Sequence, residues 1–269
     1  MLKNVGPRIR KLGSRILPQF LKGWIYARVI HPAEATSSDY KIVENDAAQE
    51  RSRGWQNPTV GEKQYQAFQP LLDEMRNGRP REDFAALAFA VKKTGLMNPT
   101  IIEVGCGNGW NSEVISFLLN IPICYCGIDI SPKMASLGRQ IYPDREFLLG
   151  TATSLPIKDQ SCDILLSGTV LMHLIGYREA IRESRRVSRH WCIFHTVPLM
   201  KKRETTRMEK KAYGQPTVEI IFNETEFIRI LDENDFSITA VIDSIPYDLK
   251  EVIGERTFTK TFICEVKRI

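Results

Sequence analysis

Ile101-Ile102-Glu103-Val104-Gly105-Cys106-Gly107-Asn108-Gly109-Trp110 joins two kinds of structure. The β-branched run ends at Val104 and predicts a strand, three glycines follow at alternate positions, and a helix is expected from Trp110. Glycine suits a chain that turns sharply and lets backbone approach a ligand with no Cβ in the way. In a doubly wound sheet this first strand-to-helix turn lies at the carboxyl edge, where ligands bind. Gly105, Cys106, Gly107 and Gly109 are therefore candidate binding residues.

The chain on either side fits that picture. Seven short runs rich in Ile, Val, Phe and Cys occupy residues 100–104, 124–129, 145–149, 162–167, 191–197, 237–242 and 261–266. Helical periodicity fills 110–119, 132–141 and 177–187 between the first five. Alternation of this kind predicts a Rossmann-like α/β domain with a mostly parallel seven-stranded sheet covered on both faces. The last two runs are separated by a loop, 244–257, which predicts an antiparallel hairpin at the sheet's end. Upstream, 64–75 and 83–93 read as helices, with Gly95 closing the second. The expected organisation is a basic amphipathic segment over 1–45, a helical cap over 46–97 and the Rossmann-like domain over 98–269.

Two further motifs sharpen the site. Residues 124–129 (CYCGID) end in an acid, Asp129, at the tip of the second strand. Ser131 can cap the next helix, with Pro132 in its first turn. A strand-tip carboxylate at this distance from a glycine loop suits two ribose hydroxyls. The spacing is GxGxG, however, and Trp110 stands where a dinucleotide fold needs its third glycine for helix packing. Glu103, just before the loop, is also poorly placed for a pyrophosphate but well placed for the ammonium and sulfonium of S-adenosylmethionine.

With residues 150–156 (GTATSLP) and 161–174 (SCDILLSGTVLMHL), the chain resembles the class I S-adenosylmethionine-dependent methyltransferases, most closely the methyltransferase-11 group related to ubiquinone-type enzymes. The resemblance spans about residues 83–243. It implies S-adenosyl-L-methionine as cofactor, held by Glu103, the glycine loop, Asp129, Ile130, Thr151, Ala152 and Ser167. Thr151 departs from the acid common at its position, so its hydroxyl and the Ala152 amide would take over contact with the adenine.

Methyl transfer from a sulfonium demands alignment and exclusion of water more than any fixed catalytic group. A base matters for a hydroxyl or protonated amine. His173 and His195 follow the fourth and fifth strands and are the candidates, each also compatible with a structural hydrogen-bonding role. His31 and His190 read as non-catalytic. Tyr247 is a candidate acceptor contact on a late loop. Trp55, Gln56, Gln64 and Tyr65 fit an acceptor lid or an ordinary helical cap, and Lys201–Asn223 an insert beside the acceptor pocket. Lys201, Lys202, Arg203, Lys210 and Lys211 read as a solvated basic loop.

Composition bounds the partner. The chain has 269 residues, 43% apolar and 26% charged, and a net charge of +5. Seven basic residues and no acid lie in 1–33. Removing those seven from the 37 basic residues leaves 30 against 32 acids, so the body is near neutral. A nucleic-acid enzyme spreads basic charge over the domain that grips phosphates. A small-molecule acceptor (a glycan, a lipid-linked compound or a secondary metabolite), methylated at oxygen or nitrogen, is expected instead. An RNA acceptor and a non-catalytic binding module are the alternatives. The six cysteines form no CxxC pair and read as reduced thiols of a cytoplasmic protein, with no metal site. No apolar run has the length of a membrane span, and 1–33 lacks a secretory core. That basic segment fits either peripheral membrane contact or a helix packed on its own domain.

Overall fold

A computed structural model describes residues 37–43 and 52–267. The basic segment over 1–33, with His31, lies outside the described residues.

The strands are β1 (Ser37–Ile42), β2 (Thr100–Val104), β3 (Cys124–Asp129), β4 (Glu146–Leu149), β5 (Cys162–Gly168), β6 (Ser188–Met200), β7 (Thr206–Ala212), β8 (Gln215–Asn223), β9 (Phe236–Asp243) and β10 (Phe258–Val266). The helices are α1 (Pro58–Arg76), α2 (Glu82–Lys93), α3 (Trp110–Leu119), α4 (Pro132–Ile141), α5 (Tyr177–Val187), α6 (Glu224–Glu233) and α7 (Lys250–Ile253). The α/β architecture read from the sequence is present: β4, β3, β2, β5 and β6 run parallel in that spatial order, and β10 and β9 continue the sheet antiparallel.

Periodicity explains the two cores. Along β5, Leu165 packs on one face while Ile164 and Leu166 pack on the other. Phe194 and Ile193 divide in the same way on β6. A strand covered on both faces needs apolar side chains at every position, which is why these strands read as continuous apolar runs. Helices α5 and α6 cover the first face and α2 and α3 the second. The predicted cap holds, Ser131 Oγ accepting from Met134 N at 3.4 Å, and Asn223 caps α6 in the same way, its Oδ1 accepting from Glu226 N at 3.0 Å.

The sheet is wider than the seven expected strands. The insert 201–223 folds as a hairpin, β7–β8, and Ser37–Ile42 adds an edge strand to it. β8 joins the main sheet beside the end of β6, through Leu199↔Phe222 and Met200↔Asn223. The three extra strands therefore stand over the carboxyl edge where the glycine turn lies. No helix among the described residues is long and apolar enough to cross a membrane.

Four aromatic rings hold the first core together. Phe227 of α6 is fully buried, with ring centroids 5.2 Å from Phe222, 5.1 Å from Phe262 and 6.2 Å from Phe194. Phe227→Ala is expected to cost about 3–5 kcal/mol by leaving a cavity that three strands cannot close. A urea midpoint shifted by less than the equivalent of about 1 kcal/mol would contradict this packing.

Candidate functional site

A cavity of about 860 Å³ opens above the carboxyl ends of β2, β3, β5 and β6. That is room for a nucleoside-sized ligand and a second small molecule. Its first wall is the glycine turn. Gly105 and Gly107 have φ of +62° and +56°, a region that side chains rarely adopt. A Cβ on Gly105 would collide with Val170, and one on Gly107 would lie 2.6 Å from the Trp110 ring.

Asp129 fixes this turn. Its Oδ2 accepts from Gly107 N at 2.8 Å, and its Oδ1 accepts from Ser131 N at 2.8 Å. Burial raises its pKa to about 6, while the backbone donors oppose that rise. Ile130, Thr151 and Ala152 continue the wall. Thr151 Oγ1 lies 3.1 Å from Thr153 Oγ1 in a tight turn. Gln64, from α1, closes the wall from above. Its buried Oε1 would lie 3.1 Å from a Gly107 Cβ and has no hydrogen-bond partner among the described residues. An unpaired buried acceptor beside a backbone cradle suits a ligand that carries a donor.

Four expected cofactor residues are not in the cavity wall. Glu103 is fully buried behind Asn111, accepting from Asn111 Nδ2 at 2.6 Å and from the Tyr125 hydroxyl at 2.6 Å. Its bond to Asn111 orients a side chain that lines the cavity. Its side chain lies beneath the turn because Tyr125 of the neighbouring strand captures it there. Cys106 is buried with its Sγ donating to Gly107 O at 3.3 Å. Gly109 starts α3 against Phe147, and Ser167 is buried outside the wall.

The opposite part of the cavity holds both histidines. His173 Nδ1 donates to Val218 O at 2.8 Å, and its ring lies 4.6 Å from that of Trp55. Burial first, and the charge of Lys210 second, lower its pKa to about 3. His195 is held on both sides, Nδ1 2.9 Å from Thr261 Oγ1 and Nε2 3.1 Å from Thr196 Oγ1. Burial lowers its pKa to about 4. In both rings burial thus favours the neutral form.

A bulge delivers His195 to the cavity. The β6–β10 register shifts between Lys260 and Phe262, so His195 and Thr196 both face Thr261, and Thr196 has φ of +55°. In a regular strand these neighbours would point to opposite faces; here both line the cavity. Helix α2 adds Asp83, gripped by Arg81 through bonds of 2.6 and 2.5 Å.

Of the lid candidates, Trp55, Gln56 and Gln64 line the cavity and Tyr65 does not. Tyr247 lines it as well, its hydroxyl bonded to the Glu219 carboxylate and 3.2 Å from the Tyr40 hydroxyl. Lys210 is not solvated. It is buried in the wall and paired with Glu219, whereas Lys201 and Lys202 are exposed as expected. Their backbone amides, with that of Arg203, cap the Glu255 carboxylate.

Glu103 gives a test of this geometry. Burial lifts its pKa from 4.5 to about 8. The stability it contributes is fully present below the unfolded value and is lost as pH rises through the folded one. The Tm of wild type relative to Glu103→Gln, which cannot titrate, is expected to fall steadily between about pH 5 and about pH 8.5. Parallel melting curves across that range would contradict the burial of this carboxyl.

Comparison with known proteins agrees with this geometry. Residues 102–194 match a family model described as a methyltransferase domain. A demethylmenaquinone methyltransferase from Chlorobaculum tepidum is 30% identical over 94 residues, covering 35% of this chain and 38% of that protein. The chain thus spans about two fifths of the length of the curated relatives it matches. Among solved structures, an S-adenosylmethionine-dependent methyltransferase from Clostridium acetobutylicum superposes with a TM-score of 0.54 at 10% identity, covering 76% of this chain and 99% of that one. Geranyl diphosphate C-methyltransferase from Streptomyces coelicolor, in complex with S-adenosyl-L-homocysteine, gives 0.52 at 12%, covering 68% and 76%. At such identities the superpositions speak for the fold. The family match covers the strands that carry the glycine turn, Asp129 and His173, so residues 102–194 are similar to a methyltransferase domain set in a Rossmann-like fold.

Proposed function

We propose that the protein moves a methyl group from S-adenosylmethionine to a small molecule held in the same cavity, at an oxygen or nitrogen atom. The observation that carries this reading is a single enclosure with two unlike walls. One is a backbone cradle ending in Asp129; the other is aromatic and histidine-rich. S-adenosylmethionine supplies an electrophilic methyl carried on a sulfonium. On this reading Asp129 offers its remaining lone pairs to ribose hydroxyls, and Thr151 and Ala152, which line the same wall, are assigned to the adenine edge. Gln64 Oε1, rather than Glu103, is the acceptor available to the ammonium of the amino-acid tail.

The chain's own contribution is alignment and dryness. Trp55 and Gln64 roof the cavity, and the extra strands wall its far end. His173 and His195 hold uncharged rings there, able to orient a hydroxyl or amine but poorly able to take its proton. This favours an acceptor that is already nucleophilic when it binds. A second reading follows from the same observation. A carbon next to an ionised oxygen can also attack without prior deprotonation, the C–S bond of the donor breaking as the new C–C bond forms and the carbon's own proton leaving to water as the product tautomerises, and the name of the demethylmenaquinone relative favours that reading. A cavity whose two cations among the described residues, Arg81 and Lys210, are each paired with a carboxylate supports a small molecule over an RNA strand.

S-adenosylhomocysteine at about a hundred times its Kd is expected to raise Tm by about 5–10 °C. Asp129→Ala should remove most of that rise. Labelled donor should then transfer its methyl to a component of small-molecule extract fractions. Failure of folded wild-type protein to shift would overturn the reading, and retention of donor without any labelled product would reduce it to binding alone.

A further inference from the structure

Lys210 occupies an unusual place. Along β7, Met208, Lys210 and Ala212 point inward and are buried, while Lys211 points out to Asp39 at 3.0 Å. An inward strand position ordinarily takes an apolar residue, and a lysine there needs a reason. Its side chain is only 6% exposed, its Nζ is paired with Glu219 of β8, and Glu219 is wholly buried. The pair is a cross-strand diagonal: Met208 stands opposite Glu219 and Thr217 opposite Lys210.

The pair is oriented. Lys210 lines the cavity and Glu219 lies behind it, so the positive end of the dipole faces the enclosed space. Tyr247 strengthens that arrangement by also bonding Glu219 from the cavity side. An ammonium has three N–H donors. Among the described residues Glu219 is the polar partner recorded for Lys210 Nζ, and Tyr40 offers it only a ring face, 5.7 Å away. Donors are thus left toward the cavity, among the aromatic side chains of Tyr40, Trp55 and Tyr213. Stability alone does not account for the pair, since a well-packed apolar pair of similar volume usually serves a fold at least as well.

We propose that Lys210, backed by Glu219 and Tyr247, is the specificity-determining residue of the acceptor end, and that the acceptor is a planar apolar molecule bearing an acidic oxygen (a carboxylate, phenolate or enolate) which this ammonium receives. The inference rests on the methyl-transfer reading of the cavity, and it deepens that reading by naming the acceptor class. An acceptor that arrives ionised also matches a site whose two histidines are weak bases. The assignment is independent of the family core, because Lys210, Glu219, Tyr40 and Tyr247 all lie outside residues 102–194.

The test uses naphthoate and its neutral isostere naphthamide, titrated calorimetrically near neutral pH into the full chain saturated with S-adenosylhomocysteine. Wild type should prefer the carboxylate by about tenfold or more, as a charge-assisted hydrogen bond gives. Lys210→Arg should keep the preference. Lys210→Met alone would strand a buried carboxylate and could fail to fold, so the decisive variant is Lys210→Met with Glu219→Met, which removes both charges together. That variant should bind the two probes within about twofold of each other while keeping the melting shift with S-adenosylhomocysteine. Absence of saturable naphthoate binding, equal binding by wild type, or an undiminished preference in the double variant would overturn the proposal. Loss of the S-adenosylhomocysteine shift in wild type, with charge discrimination intact, would instead overturn the methyl-transfer reading and leave an acid-binding cavity.

Discussion

The hydrogen bond from Gly107 N to Asp129 Oδ2, 2.8 Å long, ties the turn after β2 to the tip of β3. The rest of the site depends on that tie. With Gly107 held, the peptides of the turn face the cavity, Val170 seats over Gly105, and Trp110 seats over Gly107. The cost is a carboxylate with little access to water. It is offset by backbone donors at both oxygens, Gly107 N and Ser131 N. The same side chain lines the cavity edge, so the constraint on the turn is part of the cavity wall itself. Phe147 supports the arrangement from beneath, its ring filling the space beside Gly109, Gly127 and Gly138 on three separate elements.

Around this fixed half the molecule adds a variable one. The glycine turn, Asp129 and the Thr151 turn lie within the stretch that matches a methyltransferase domain, whereas β1, β7, β8 and α1 lie outside it. These added elements supply Tyr40, Lys210, Tyr213 and Gln64 to the cavity. Division of this kind is what a fold shared among many reactions leads one to expect: the donor is common and the acceptor differs. The long β6 makes the addition possible. It pairs with β5 and β10 along most of its length and still reaches β8 with Leu199 and Met200.

What the sequence made legible, and what it hid, has a physical pattern. Helices α3, α4 and α5 were readable to the residue because apolar periodicity changes abruptly at their ends and Ser131 and Pro132 mark one start. The hairpin β7–β8 was not, because Lys210 occupies an inward position and breaks the apolar alternation by which a strand is recognised. β1 is short and polar, so it gave no signal either. The glycine turn and Asp129 were legible because their residue types are forced by backbone geometry. Glu103 was misplaced for the opposite reason: its position beside the turn is local, but its burial depends on Tyr125, which stands beside it only once β3 has paired. The bulge that turns His195 and Thr196 to one side is likewise a property of two strands, and neither strand's sequence announces it.

These placements share an electrostatic logic. The cavity's charged groups are each answered at short range, Arg81 by Asp83, Lys210 by Glu219 and Asp129 by backbone amides. Its histidines are kept uncharged by burial. A site built this way stores little capacity to exchange protons with a substrate and much capacity to hold one still. In a reaction whose leaving group departs from a sulfonium, stillness is the scarcer resource. The attacking atom must lie in line with the breaking bond, and water must be absent from the same small volume. A proton-exchanging wall would demand solvent access or a relay, and either would compromise that dryness. Fixed, internally compensated charge is therefore what the proposed methyl transfer would ask of the protein, and on that reading selection among acceptors falls to the end wall that the added strands build.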